Sequence, residues 1–163
     1  MVDELFDPAI AGSVRIALVS EVAGVQAFGV ARRHARNARD RHMWDALHEL
    51  EMQTRAAIYE HLGDGVGRFA RAERFADLAG SASGAALHVL PQPLQMQALV
   101  LGTKPFLRHF RKLNDHFADS QHASLFGYVL AHEQAIAELG KRGLAGEENA
   151  LAPVEALLGT APL

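Results

Sequence analysis

Cysteine is absent from the 163 residues of this chain. Its absence excludes disulfide bonds, thiolate metal sites and cysteine nucleophiles, and it is compatible with a reducing compartment, so we expect a cytoplasmic protein. Alternation of apolar and polar residues never continues for more than a few positions, which argues against β-strands. The sequence therefore predicts an all-α protein, and its length fits one domain spanning residues 1–163.

A strong charge of one sign is also lacking, since the formal net charge is −3. Bulk charge therefore gives no reason to expect a nucleic-acid partner. The first residues, MVDELFDPAIAG, are acidic where a signal peptide needs a basic segment. Apolar runs are shorter than the roughly 18 residues of a membrane span. We expect no membrane partner and no nucleic-acid partner.

Positive charge is concentrated in two basic stretches, residues 32–41 and 104–112. An anionic partner would be one explanation for them. The preferred interpretation is a solvated helix end and a solvated helix face, because positive charge is favourable near a helix C-terminus.

The first two helices of the prediction are joined by very few residues. Helix A begins at Asp7-Pro8, because Asp suits the N-cap and Pro the first helical position, and it ends near residue 36 with Asn37 as its stop. Helix B covers residues 40–62 and stops at Gly63. Such a short connection predicts antiparallel neighbours.

A long connection then leads to the third helix. Residues 63–92 are rich in glycine and predict a connection that holds one or two short helices. Helix C covers residues 94–117, and Pro105 predicts a kink or break near residues 101–105.

The last part of the chain predicts one long and one short helix. Helix D covers residues 122–142, with Gly143 as its stop, and a short C-terminal helix lies near residues 153–158. The expected architecture is an up-and-down four-helix bundle with a long helical B–C connection.

Glutamates interrupt the apolar rows of three helices: Glu21 in helix A, Glu51 in helix B and Glu133 in helix D. An isolated buried carboxylate is unfavourable, so each must find a cation, a partner or a raised pKa. Because all three lie near the middle of their helices, we expect them to converge at one level of the bundle, where helix bundles build metal sites.

This arrangement resembles the ferritin-like superfamily, including its rubrerythrin-like members. That family holds two iron ions with one Glu on helix A, Glu-x-x-His on B, one Glu on C and Glu-x-x-His on D. The resemblance implies that Glu21, Glu51 and Glu133 match the acids of A, B and D.

The match to the family pattern is degenerate. Thr54 and Ile136 stand where the two histidines would be, and helix C has no acid near its centre. His48 and His132 are the alternatives, because the first lies one turn before Glu51 and the second next to Glu133. If either turns inward, the three acids and one imidazole can hold a single Fe, Mn or Zn ion.

Two functions follow from this pattern. The first choice is a scaffold or binding protein with a partly lost metal site and an unknown small-molecule ligand, in which the acids share protons or pair with Arg15, Arg55 or Lys104. The alternative is a metal-handling or oxidoreductase-type protein that uses the acids as ligands. A homodimer is also predicted, because the apolar tail at residues 151–158 must cover something.

Overall fold

The computed structural model describes residue 5 and residues 7–162, without the side chains of residues 64 and 66. This part of the chain is helical and contains no strand, which confirms the all-α prediction. The helices are α1 (Ala11–Arg33), α2 (Ala38–Leu62), α3 (Ala70–Val89), α4 (Gln92–His116), α5 (Ala123–Ala145) and α6 (Ala152–Glu155), and a 3-10 helix (Gly63–Phe69) precedes α3.

The beginning of α1 and the α1–α2 connection differ from the prediction by a few residues. Asp7 lies in a turn before α1, where its backbone carbonyl accepts a hydrogen bond from the Ala11 N–H at 2.8 Å. Asn37 is the N-cap of α2 rather than the stop of α1, since its side chain accepts from the Asp40 N–H at 2.8 Å. Asparagine suits both positions, and the sequence alone does not separate them. Gly63 ends α2 as predicted, with φ at +49°.

The stop predicted at Gly143 is wrong, because α5 continues to Ala145 and ends at Gly146, which has φ of +74°. Gly143 has a packing role instead. A Cβ at this position would overlap the Met96 side chain, so the glycine lets α5 approach α4 closely.

More of the glycine-rich connection is helical than predicted, because α3 has 20 residues and is not a short helix. Its buried glycines, Gly80 and Gly84, face α1. A Cβ on either would overlap a backbone carbonyl of α1, that of Ala23 or Ala27 respectively. Glycine at these positions allows two helix backbones to touch. Composition alone does not distinguish this role from that of a glycine in a loop.

The break predicted near Pro105 is not found, because α4 continues as one α-helix through this residue. Proline leaves the carbonyl one turn earlier without its intrahelical donor. Leu101 and Gly102 are exposed, so water can bond that carbonyl in place of the missing N–H.

The core has two apolar clusters, and α1, α2, α4 and α5 supply most of both. One cluster contains Leu18 of α1, Ile58 of α2 and Phe110 of α4. The other contains Phe28 of α1 and Trp44 of α2. Each of these helices thus has apolar residues at both ends of its buried stripe. A polar residue in the middle of a stripe therefore lies inside the protein, between the two clusters.

The C-terminal tail packs against its own chain. Val154 is fully buried, and Leu151, Leu157 and Leu158 pack on the second core cluster. The tail therefore covers its own core, and the homodimer stays a prediction.

Among the described residues, one helix, α1, meets the length and composition of a membrane span. However, 61% of its most apolar window is buried inside the protein. A core helix has the same composition, so this feature does not indicate a membrane.

Candidate metal centre

Three helices bring one polar side chain each to the level between the two apolar clusters. These are Glu21 of α1, Glu51 of α2 and His132 of α5, with exposed fractions of 0%, 4% and 0%. Their positions follow from helical periodicity, because each lies in the buried stripe of its helix. We call them the Glu–Glu–His cluster.

His132 lies between the two carboxylates of the cluster. Its Nδ1 is 3.5 Å from Oε2 of Glu21, and its Nε2 is 3.5 Å from Oε1 of Glu51. One potential ligand atom from each residue lies within 4.8 Å of the others. Such a spacing lets the three side chains hold one metal ion between them.

Buried polar atoms of two residues in the cluster lack hydrogen-bond partners. Both carboxylate oxygens of Glu21 and both ring nitrogens of His132 are buried without one. Buried polar groups are normally satisfied, and each exception needs an explanation. A bound metal would supply the missing partner for Glu21 and His132.

Arginine or lysine does not balance these acids. Within the described residues, the one basic side chain within 4.0 Å of the Glu21 and Glu51 carboxylates is His132. Of the counter-ions suggested by the sequence, Arg55 donates to the Tyr59 hydroxyl instead, at 3.0 Å. Arg15 and Lys104 are exposed, and neither pairs with the cluster.

Glu133 lies beside the cluster but is not part of it. It is 5% exposed, and burial raises the pKa of its carboxyl well above the usual range, with a further increase from the charge of Glu51. Burial likewise raises the pKa of Glu21, and Glu51 and Glu133 add to the effect. All three predicted acids are therefore buried in one region, where burial favours the protonated forms of Glu21 and Glu133.

His48 does not join the acids. Its Nδ1 is 3.1 Å from Nη1 of Arg32, and burial together with the Arg32 charge lowers the pKa of the imidazole. Of the two histidines that the sequence left open, His132 is the one that lies with Glu21 and Glu51.

The positions where the ferritin-like pattern places further ligands hold none. The Thr54 hydroxyl donates to the Leu50 carbonyl at 2.9 Å, and Ile136 is a core residue. In the middle of α4, the Thr103 hydroxyl donates to the Val100 carbonyl at 3.1 Å. The structure therefore offers three side chains that can hold one ion.

Sequence reasoning missed Gly24, which makes room for the cluster. A Cβ at this position would overlap the Glu51 carboxyl group. The signal was present, because glycine in the middle of an apolar helix is unfavourable unless another group needs the space.

Sequence reasoning also missed a cavity of about 570 Å³ between α1, α3 and α4. Its wall includes Glu21, Glu51 and Glu133, whereas His132 does not line it. The cavity could not be seen in the sequence, because it depends on how α3 packs on α1. Small molecules can approach the acids of the cluster from this side.

Comparison of the chain with protein-family models, with curated proteins and with solved structures gives no match.

Proposed function

We propose that this protein binds one divalent transition-metal ion through Glu21, Glu51 and His132. The observation that carries the proposal is the unpartnered state of the buried atoms: a carboxylate and an imidazole at 0% exposure face each other without hydrogen bonds. Burying such groups costs free energy unless a partner compensates.

The donor set suits Fe(II), Mn(II) or Zn(II). Imidazole is a common ligand of iron and zinc, and carboxylate oxygen suits manganese and iron. Three protein ligands leave coordination positions for water or a small molecule, as in catalytic rather than structural metal sites. Because Glu21 and Glu51 line the cavity and His132 does not, an open position would face the cavity. The activity that fits is metal handling or oxidoreductase-type chemistry at a carboxylate-bound ion.

The fold that we propose for this function is a degenerate ferritin-like bundle. Helices α1, α2, α4 and α5 would correspond to A, B, C and D, and α3 would lie in the B–C connection. The element order and the placement of Glu21, Glu51 and Glu133 support this assignment. Thr54, Thr103 and Ile136 replace family ligands, so we expect one ion per chain and not two.

A metal titration tests the proposal. Chelator-treated protein is titrated with Mn(II), Zn(II) and, without oxygen, Fe(II), and the bound metal is counted by elemental analysis. We expect close to one ion per chain and a loss of at least about tenfold in affinity for Glu51→Gln, since even weaker outer-shell changes cost that much. Glu49→Gln is the matched control, because Glu49 is exposed on the same helix. A stoichiometry near zero, or equal affinities for the two variants, contradicts the proposal.

The alternative is a metal-free scaffold or binding protein. The pKa values of Glu21 and Glu133 favour it, because carboxyls that retain their protons can stay buried without a metal. This function predicts that Fe(II), Mn(II) and Zn(II) leave the melting temperature unchanged, as a ligand that does not bind cannot stabilise the native state.

A further inference from the structure

The cavity beside the Glu–Glu–His cluster has the size and wall of a small-molecule site. Its volume of about 570 Å³ lies within the range of about 300–1,000 Å³ that is usual for such sites. Its wall is largely apolar, with Ala27, Phe28, Leu87, Leu99 and Phe106 among its residues. A ligand of this cavity therefore has a mainly hydrocarbon body.

The titratable residues of the wall are all acids. Glu21, Glu51 and Glu133 line the cavity, and the described residues around it include no lysine, arginine or histidine. Carboxylate and phosphate ligands would find no positively charged partner there. The wall is thus complementary to a cation or a neutral molecule.

The polar hydroxyls of the wall are already occupied. Ser20 donates to the Ala17 carbonyl at 2.7 Å, Ser83 to that of Ala79 at 2.8 Å, and Thr103 to that of Val100 at 3.1 Å. These hydroxyls have no hydrogen left to donate to a ligand, and the acids are the strongest acceptors that the wall offers to a cationic group.

Glu133 is the acid that the Glu–Glu–His cluster does not use. It is 5% exposed, and no ion pair or hydrogen bond joins its side chain to another described residue. A buried carboxylate without a partner is unfavourable, and an ammonium group that reaches it through the cavity makes a charge-assisted hydrogen bond.

We propose that this cavity binds an apolar primary amine, with the hydrocarbon chain between α1, α3 and α4 and the ammonium group on Glu133. This inference goes beyond the proposed metal site, because the ammonium partner is outside the metal-ligand set.

Calorimetry with octylamine, 1-octanol and octanoate tests the ligand class. The three probes share one chain length and differ in the charge of the head group. For the chelator-treated protein, we expect octylamine to bind at least about tenfold more tightly than 1-octanol, and octanoate to bind more weakly than both. Equal affinities for octylamine and 1-octanol, or tighter binding of octanoate, overturn the proposal.

Glu133→Gln tests the ammonium partner. It keeps the size of the side chain and removes the charge, so octylamine affinity falls by about 10- to 100-fold and 1-octanol affinity is unchanged. Octylamine binding that survives Glu133→Gln overturns the assignment to this residue.

Gly102→Leu tests the location without relying on an acidic residue. Gly102 lines the cavity, and a Cβ there meets no atom within 4 Å, so the position has room for a larger side chain, which we expect to obstruct the cavity. We expect this variant to fold and to bind neither octylamine nor 1-octanol. Gly12→Leu is the matched control, because Gly12 is also in a helix with nothing within 4 Å of its Cβ but lies outside the cavity. Wild-type octylamine affinity in Gly102→Leu overturns the proposal.

The metal and amine experiments fail separately. Octylamine binding by chelator-treated protein that takes up no metal supports the amine site and contradicts the metal site. One ion per chain without a preference for octylamine over 1-octanol does the reverse.

Discussion

Gly24 of α1 lies directly against the carboxyl group of Glu51 on α2, so close that a Cβ at position 24 would overlap it. The absence of a side chain on one helix thus decides where the carboxylate of the neighbouring helix can lie. The carboxylate is buried beside His132, at 3.5 Å, and a Cβ at position 24 would push it away from this position towards the cavity.

Gly24→Ala should therefore displace Glu51 from the cluster. We expect a loss of about 1–3 kcal/mol in the free energy of unfolding, as for other overpacked sites, and at least tenfold weaker metal binding. Urea denaturation and metal titration measure the two effects. Gly12→Ala is the control, since a Cβ there meets nothing within 4 Å and helix propensity predicts a gain of up to about 1 kcal/mol. A stable Gly24→Ala variant that binds metal normally would contradict this account.

The stability of the metal-free protein should fall as pH rises. Burial raises the pKa of Glu21 and Glu133, so the folded chain holds protons that the unfolded chain, with glutamate pKa values of about 4.3, releases. This contribution is fully present below about pH 4.3 and is lost as pH rises through the folded-state values. Urea denaturation from pH 5 to pH 8 measures it. Glu133→Gln should show a shallower decrease than wild type, and identical pH profiles for the two proteins would refute the assignment.

Metal should raise the melting temperature through His132. A metal concentration of 100 times Kd stabilises the native state by about 2.7 kcal/mol, which corresponds to roughly 5–10 °C for a chain of this size. His132→Ala should abolish this shift. His42→Ala should retain it, because His42 is exposed and contacts Glu155 at 3.0 Å, away from the cluster. Differential scanning calorimetry with and without metal compares the three proteins, and an equal shift in both variants would exclude His132 as a ligand.

The packing of α3 on α1 depends on Gly80. A methyl group at this position would overlap the backbone of Ala23, and backbone cannot move aside as a flexible side chain can. Gly80→Ala should lower the free energy of unfolding by about 1–3 kcal/mol, despite the better helix propensity of alanine. Gly67→Ala, where the Cβ has open space, provides the comparison in the same urea denaturation experiment. A gain of stability in Gly80→Ala would show that α3 does not pack on α1 in this way.

Local periodicity was enough to predict α1, α2, α4 and α5 and the burial of the acids, but not the length of α3. Glu21, Glu51 and Glu133 lie in apolar stripes, and the structure buries all three. Single glycines were harder to interpret, because the same residue ends a helix at Gly146 and packs against a neighbouring helix at Gly143. Only the position of the neighbour distinguishes the two roles.

The sequence by itself determined that the chain is helical and that three acids face the interior, because both properties follow from the 3.6-residue period within single helices. Tertiary structure alone decided that His132, and not His48, lies with Glu21 and Glu51, since this depends on how each helix is rotated against its neighbours. It also decided the position of the cavity, which is lined by residues of α1, α3 and α4 where glycines bring α3 against α1. Contacts between residues far apart in the chain leave no periodic signal in one sequence, so both features required the packed molecule.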